Sequence, residues 1–178
     1  MKYMFASDVH GSAYYCRKML DAYKEEKAER LVLLGDLLYH GPRNDLPKEY
    51  APKEVIAMLN DMKREIYAVR GNCEAEVDQM VLQFPVMADY CILNLDGRTF
   101  YATHGHVYNE NNLPPIQEGD ILIHGHTHVL KAEQKEGYVL LNPGSVSIPK
   151  EGNTYAIFED GVFTIKDFEK NVVKSINL

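Results

Sequence analysis

The sequence contains no hydrophobic run long enough to cross a membrane or to direct secretion. Nowhere among its 178 residues does it reach the run of about 18 apolar residues that a membrane-spanning helix needs. The N-terminal stretch MKYMFASDVH becomes polar at Ser7, which is too early for the apolar core of a signal peptide. We therefore expect a cytoplasmic protein with no membrane span.

Cysteine is scarce, and positive charge is not in excess. Cys16, Cys73 and Cys91 are an odd number of cysteines at unrelated spacings, which excludes a disulfide framework and a zinc ribbon. The net charge of −7 and the pI of about 5.5 argue against a protein that holds extended nucleic acid on a basic surface. A small anionic substrate remains compatible, because bound cations can reverse the local electric field.

The order of the predicted elements indicates an α/β fold. Hydrophobic and charged contents of 46% and 25% are ordinary for a globular protein, and nothing marks a linker, so we predict one domain over residues 1–178. In the first half, strands at 3–6, 30–34 and 66–69 alternate with helices after Ser12, at 54–63 and at 74–81, which favours parallel strands. The second half reads mainly as hairpins, at 90–103, 130–141 and 154–168. This change of character suggests two sheets packed face to face with helices outside.

A polar group that could bind a metal follows almost every predicted strand of the core. Taken singly, such a residue is more often a cap or a turn residue. However, the carboxyl ends of parallel strands meet at one edge of a sheet, where ligands gather. The joint pattern therefore predicts a metal site at this edge, formed by Asp8, His10, Asp36, Asn72, His104, His126 and His128.

The stretch ILIHGHTH at 121–128 carries the strongest part of this pattern. Three histidines within five positions would be costly beside a core unless they had partners, and neutral imidazole is the commonest metal ligand. The alternative is a polar loop with surplus histidines. No thiolate is needed in the set, so a structural zinc site is not favoured.

Seven candidate ligands are too many for one transition ion and suit two. One carboxylate would then bridge the ions, about 3.5–4 Å apart. Two divalent cations less two aspartates leave the site about 2 charges positive, enough to attract phosphate in an acidic protein. Water between such ions has its pKa lowered to about 7 and supplies a nucleophile for in-line attack on phosphorus.

The chain resembles the calcineurin-like metallophosphoesterases, and among them the small bacterial phosphodiesterases of the YfcE type. The motifs that carry the resemblance span nearly the whole sequence: FASDVHGS, GDLLYHGPRN, VRGNCE, THGH, GHTH and NPGSVSIPK. The resemblance implies a four-layer α/β/β/α sandwich of two mixed sheets. It also implies a dinuclear centre, usually manganese, although the same ligands accept zinc, iron or nickel. Relatives suggest a homodimer or a homotetramer.

The resemblance also assigns the ligands to the two ions. Asp8, His10 and His128 would hold the first ion, Asn72, His104 and His126 the second, and Asp36 would bridge them. His124 falls outside this set, and we expect it to support the ligands or to end the strand. His106 is expected either to support them or to be exposed. The predicted catalytic residues are Asp36, Asn72, Cys73, His104 and Arg43.

Cys73 departs from the pattern of the wider family. Many relatives have a histidine after the asparagine, and that histidine protonates the leaving oxygen. A thiol can carry a proton at neutral pH but is an unusual general acid, and Cys73 could also simply pack beside Asn72. We hypothesise that missing acid catalysis restricts the enzyme to diesters with good leaving groups.

The loop after Asp36 has two interpretations. In the first, Arg43 binds phosphate with paired hydrogen bonds and His40 lies at the rim of the site. In the second, the loop is only a surface segment stiffened by proline.

The leading hypothesis is a metal-dependent phosphodiesterase acting on small phosphodiesters. The alternatives are a phosphomonoesterase or protein phosphatase, a nuclease, and a non-catalytic scaffold of a membrane coat. The complete ligand set argues against the scaffold, and the acidic charge balance argues against a nuclease.

Overall fold

Eleven strands and three helices make up the chain. The computed structural model of the protein describes residues 1–178. In chain order the elements are β1 (Tyr3–Ala6), α1 (Ala13–Glu26), β2 (Arg30–Leu33), α2 (Pro52–Asp61), β3 (Ile66–Ala68), α3 (Glu76–Val81), β4 (Tyr90–Leu95), β5 (Arg98–Thr103), β6 (Asp120–Ile123), β7 (Lys131–Gln134), β8 (Tyr138–Asn142), β9 (Thr154–Glu159), β10 (Val162–Asp167) and β11 (Val172–Asn177).

The strands form two mixed sheets. The first has the order β11-β10-β9-β1-β2-β3, with β1, β2 and β3 parallel and the rest antiparallel. The second has the order β4-β5-β6-β8-β7, with β5, β6 and β8 parallel. Each sheet thus contains three neighbouring parallel strands, and five of these six strands, all except β8, lead to the predicted ligands.

Alternating side chains of the first sheet face two different apolar layers. Phe5 of β1 points to the second sheet, where it stacks on Phe100 at 5.9 Å between ring centroids. Its neighbour Met4 points the other way and packs with Met19 of α1 and Leu59 of α2. The period of two in a strand produces this division, which places the helices outside the sandwich of sheets.

The outer face of the second sheet is covered by a thinner layer. Leu122, Tyr138 and Leu140 pack there with Ile116, which belongs to the irregular segment 104–119. The predicted fold class, an α/β fold of two mixed sheets with helices, is confirmed, although the layer outside the second sheet is this irregular segment and not a helix. The single domain over 1–178 stays a prediction. None of the three helices has the length and apolarity needed to cross a membrane.

The predicted helix bounds were shifted at two places. We expected a helix at 54–63, but α2 begins at Pro52, because proline lacks an N–H group and is well tolerated in a first turn. We expected another at 74–81, but α3 begins at Glu76, since Ala75 is extended and the Glu74 side chain is engaged elsewhere. In α2, the side chains of Val55 and Leu59 are buried.

Ser12 ties the first helix to the loop that precedes α2. Its buried hydroxyl accepts a hydrogen bond from the Tyr15 N–H at 3.2 Å, as a helix cap, and donates to the Lys48 carbonyl at 2.6 Å. Ser12→Ala should therefore lower the free energy of unfolding by about 1–2 kcal/mol. Urea denaturation measures this, with the exposed Ser175→Ala as the control, expected to lose less than about 0.5 kcal/mol. Equal losses in the two variants would contradict the prediction.

Candidate metal centre

All seven predicted ligands lie just beyond the carboxyl ends of parallel strands. Asp8 and His10 follow β1, Asp36 follows β2 and Asn72 follows β3. From the second sheet, His104 follows β5, and His126 and His128 follow β6. Because the two sheets are packed face to face, the loops from both sheets meet at the same end of the sandwich.

Five of these residues hold a backbone conformation that most side chains avoid. Ten non-glycine residues in the structure have a positive φ, and five of them are predicted ligands, namely Asp8 (59°), His10 (48°), Asp36 (55°), His126 (62°) and His128 (58°). The left-handed conformation costs roughly 1 kcal/mol or more per residue. Such strain concentrates at functional sites, where it aims side chains that a relaxed backbone would direct elsewhere.

The first group of ligand atoms is formed by Asp8, His10 and His128. The Asp8 Oδ1 atom lies 3.1 Å from His128 Nε2 and 3.5 Å from His10 Nε2. Asp8 is fully buried, and its other oxygen, Oδ2, accepts the His126 N–H at 3.0 Å. The structure thus brings together the three residues that the family resemblance assigned to the first ion.

The second group is formed by Asp36, Asn72, His104 and His126. His104 Nε2 lies 3.4 Å from Asp36 Oδ2, 3.0 Å from Asn72 Oδ1 and 3.2 Å from His126 Nδ1. Asp36 Oδ2 is also 3.7 Å from His10 Nε2. Asp36 therefore lies between the two groups, where a bridging carboxylate is expected.

Backbone carbonyls fix the orientation of the histidine rings. Nδ1 of His10 lies 2.8 Å from the Tyr39 carbonyl oxygen, and Nδ1 of His104 lies 2.6 Å from that of Leu34. A carbonyl can only accept, so each Nδ1 donates, and a neutral ring then turns the lone pair of Nε2 towards the carboxylates. His10 Nε2 is buried without a hydrogen-bond partner.

This arrangement of donor atoms fits divalent cations. Lone pairs on nitrogen and oxygen face one another in a partly buried space, which extends from the buried His104 to the exposed Asn72, and they repel unless a positive charge lies between them. The negative charge of the carboxylates also shifts the pKa of the His104 side chain. Burial alone would lower its pKa, but the contact with Asp36 and the charge of Asp8 raise it to about 9. The residues therefore satisfy the ligand types and the ring orientations that a metal centre requires.

Two glycines allow the backbone to approach the carboxylates. A Cβ atom on Gly71 would lie 2.1 Å from Asp36 Oδ1, and one on Gly125 would lie 2.7 Å from Asp8 Oδ2. Any side chain at either position would therefore displace a predicted ligand. The lack of space for a side chain explains why glycine stands beside these ligands in the sequence.

A polar cavity of about 460 Å³ opens above the ligands. Besides His10, Asp36, Asn72, His126 and His128, it is lined by the loop 41–44, Cys73, Thr127 and Lys150. Arg43 and Lys150 are its cationic residues. Arg43 therefore lies at the site, as predicted, whereas Lys150 is a further cationic residue there that was not predicted. The Cys73 thiol faces the cavity, and burial together with the nearby Asp36 raises its pKa, so it keeps its proton.

Glu74 is a residue whose importance was missed. Its side chain is buried, and its carboxylate accepts the N–H groups of Asp36 at 2.8 Å, Leu37 at 2.7 Å and Gly71 at 2.6 Å. It thereby joins the loop after β2 to the loop after β3, and fixes Asp36 relative to Asn72. An acidic residue two positions after the ligand Asn72 was the only signal in the sequence.

The turn after β8 supports the site from the other sheet. The hydroxyls of Ser145 and Ser147 donate to the Asp8 carbonyl at 3.0 and 3.1 Å. The Asn142 amide donates to the Gly125 carbonyl at 2.9 Å and to the Thr127 hydroxyl at 3.1 Å. This turn therefore holds the backbones on both sides of the first group.

The three remaining histidines lie around the ligands. His124 is fully buried, with Nε2 3.1 Å from the carboxylate of Glu110, which also pairs with Lys131. The half-buried His106 packs on His104 at 5.4 Å between ring centroids, and burial lowers its pKa. His40 packs edge-on between Tyr39 and Tyr50 rather than lining the cavity.

Comparison with known proteins assigns the family. The profile of the calcineurin-like phosphoesterase superfamily domain matches residues 1–160. The chain belongs to the calcineurin-like phosphoesterase superfamily. The family predicted from the sequence motifs is thereby confirmed, and it implies divalent metal ions.

Individual known proteins are similar to almost the entire chain. The phosphodiesterase YfcE of Escherichia coli K12 is 46% identical over 167 residues, which cover 93% of this chain and 91% of that protein. The solved structure of the E. coli phosphoesterase YfcE matches with a TM-score of 0.97 at 41% identity, over 99% of both chains. Vacuolar protein sorting 29 of Cryptosporidium parvum matches with a TM-score of 0.67 at 18% identity, over 99% of this chain and 98% of that one, and shares the fold alone.

Replacing the Glu74 carboxylate tests its role in positioning the ligands. A glutamine keeps the size but offers one acceptor oxygen and turns an NH₂ group towards the backbone N–H groups. We expect Glu74→Gln to lose about 2–3 kcal/mol of unfolding free energy and to bind Mn²⁺ at least about tenfold more weakly.

Urea denaturation and calorimetric Mn²⁺ titration measure the two effects. The control is Glu76→Gln, two residues away in the exposed first turn of α3. If Glu74→Gln loses stability but keeps the Mn²⁺ affinity of the control, Glu74 contributes to folding and not to the position of the ligands.

Proposed function

We propose that the chain is a metal-dependent phosphodiesterase that hydrolyses small phosphodiesters at a dinuclear centre. The observation that carries the proposal is the convergence of two groups of donor atoms on Asp36. In the groups Asp8–His10–His128 and Asp36–His104–His126, the ligand atoms lie within 4.8 Å of one another. The relative YfcE carries the name phosphodiesterase at 46% identity, which supports the same activity here.

In this proposal each group holds one ion. Asp8, His10 and His128 would hold the first, Asn72, His104 and His126 would hold the second, and Asp36 would be shared between them. Manganese is the proposed metal, with zinc, iron and nickel as alternatives that the same ligands accept. When bound, the ions supply Lewis-acid stabilisation of the phosphate charge and a nucleophile for in-line attack on phosphorus.

The cationic side chains of the cavity have the task of binding the substrate. The Arg43 guanidinium can hold two phosphate oxygens with parallel hydrogen bonds, and the Lys150 ammonium adds a point charge. Both residues are exposed at the cavity, so they can meet the phosphate as it enters. This local positive charge attracts a small anion although the protein as a whole carries −7.

Cys73 limits which leaving groups we expect the substrate to have. Its thiol faces the cavity but has a raised pKa, and a group that holds its proton this firmly is a weak acid catalyst. Substrates whose leaving oxygen needs no proton would then react fastest. We therefore propose diesters with good leaving groups, which favours a phosphodiesterase over the alternative of a phosphomonoesterase or protein phosphatase.

Two further properties belong to the proposal. The three cysteines are free thiols, which is typical of a reducing compartment and supports the cytoplasm. A homodimer or homotetramer is proposed by analogy with relatives.

The alternative of a non-catalytic scaffold rests on a shared fold alone. The presence of a potential ligand at all seven predicted positions argues against it.

Removal of the bridging carboxylate tests the dinuclear proposal. Asp36→Asn removes the charge shared by both ion positions, so Mn²⁺-dependent hydrolysis of bis(p-nitrophenyl) phosphate should fall by about 10³-fold or more. Titration of the metal-free protein should give two Mn²⁺ per chain for the wild type and fewer for the variant.

The exposed Asp21→Asn on α1 is the control and should behave as the wild type. Full activity of the wild type with a single ion per chain would contradict the dinuclear proposal. Absence of any metal-dependent hydrolysis of mono- or diesters would contradict the proposed function as a whole.

A histidine at position 73 tests the proposed limit on leaving groups. Cys73→His should raise kcat/KM for alkyl diesters by about tenfold or more, because a general acid contributes most where the leaving oxygen is basic. Rates on aryl diesters should change little. Cys73→Ser, which also lacks a good general acid, is the control, and an equal gain on both classes of substrate would refute the role in leaving-group protonation.

A further inference from the structure

An apolar groove adjoins the polar cavity of the candidate centre. It has a volume of about 480 Å³, and eight of its eleven lining residues are hydrophobic. Its walls include Tyr39 and Tyr50 from the loop before α2, Ile56 of α2, and Val77 and Val81 of α3. The polar cavity, in contrast, has one hydrophobic residue among twelve.

The groove and the cavity meet at Cys73, which lines both. A ligand whose phosphate lies over the metal-binding residues can therefore extend past Cys73 into the groove without leaving the protein surface. The two compartments differ in polarity, so together they match a molecule with a charged end and an apolar end.

One wall of the groove is fixed by the residues of the candidate centre. The carbonyl of Tyr39 accepts the hydrogen bond from His10 Nδ1 at 2.8 Å. The ring of Tyr50 lies so close to Gly11, the neighbour of His10, that a Cβ atom there would be 2.5 Å from it. Both tyrosines are thus held at a set distance from the predicted ligands, as the wall of a substrate site should be.

Residues that line the groove leave apolar surface exposed to water. The exposed fractions of Val77 and Val81 of α3 are 65% and 43%, and that of Tyr39 is 42%. Burying an aromatic group against them would release water from apolar surface on both partners.

We propose that this groove binds the apolar, aromatic group of the phosphodiester whose phosphate is held at the metal centre. The inference rests on the proposed function and deepens it, because it names aryl or similarly apolar diesters as the substrate class. A wall of valine, isoleucine and tyrosine side chains selects for apolar area rather than for a hydrogen-bonding pattern. A second copy of the chain is the competing occupant.

Binding of phosphonates to the Mn²⁺-loaded protein tests the groove without requiring turnover. Phenylphosphonate and methylphosphonate carry the same charged head, and their C–P bond is not hydrolysed as an ester is. Calorimetric titration should give a Kd for phenylphosphonate about tenfold lower than that for methylphosphonate. The double variant Val77→Asn/Val81→Asn should lose most of this preference and keep the affinity for methylphosphonate.

Met80→Asn is the matched control, because Met80 is 82% exposed on the same helix but does not line the groove. It should keep the wild-type preference. Equal affinities of the wild type for the two phosphonates would overturn the inference. An unchanged preference for phenylphosphonate in the double variant would also overturn it. If sedimentation then shows that the wild type is an oligomer and the double variant is a monomer, the groove is an interface between copies of the chain. Hydrolysis of diesters by the wild type tests the proposed function separately.

Discussion

The structure depends on a concentration of buried negative charge at one end of a sandwich of sheets. Asp8 is fully buried and Asp36 nearly so, and histidine rings surround both. Such charges are costly in an interior unless positive charge compensates them. The contact with Asp36 and the charge of Asp8 hold the pKa of the buried His104 above its usual value, at about 9. Two divalent cations would satisfy the same carboxylates more completely, and the rest of the site can be understood as support for them.

That support comes from parts of the chain far apart in sequence. Glu74 connects the loops after β2 and β3 through three backbone N–H groups. Ser145 holds the backbone of Asp8 through its carbonyl, and Asn142 holds the loop that carries His126. These contacts explain how five ligands can remain in a left-handed backbone conformation, since the cost is spread over a surrounding network of hydrogen bonds.

The convergence of the candidate ligands could be predicted from the sequence because each follows an apolar run, and all of them except Asp8 lie beside a glycine or within a histidine cluster. Gly71 and Gly125, for example, mark positions where a Cβ would collide with Asp36 or Asp8. The role of Glu74 was not predicted because its partners are backbone N–H groups. Almost every residue type has such a group, so the identities of Leu37 and Gly71 do not indicate the contact. The apolar groove escaped it because Tyr39 and Val77 meet only through the packing of separate loops and helices.

The most direct measurement of the central claim is anomalous X-ray scattering from crystals grown with Mn²⁺. The account predicts two peaks about 3.5–4 Å apart, one bounded by Asp8, His10 and His128 and the other by Asn72, His104 and His126, with Asp36 between them. A single peak, or peaks that lie away from Asp36, would contradict the claim that this end of the sandwich is a dinuclear centre.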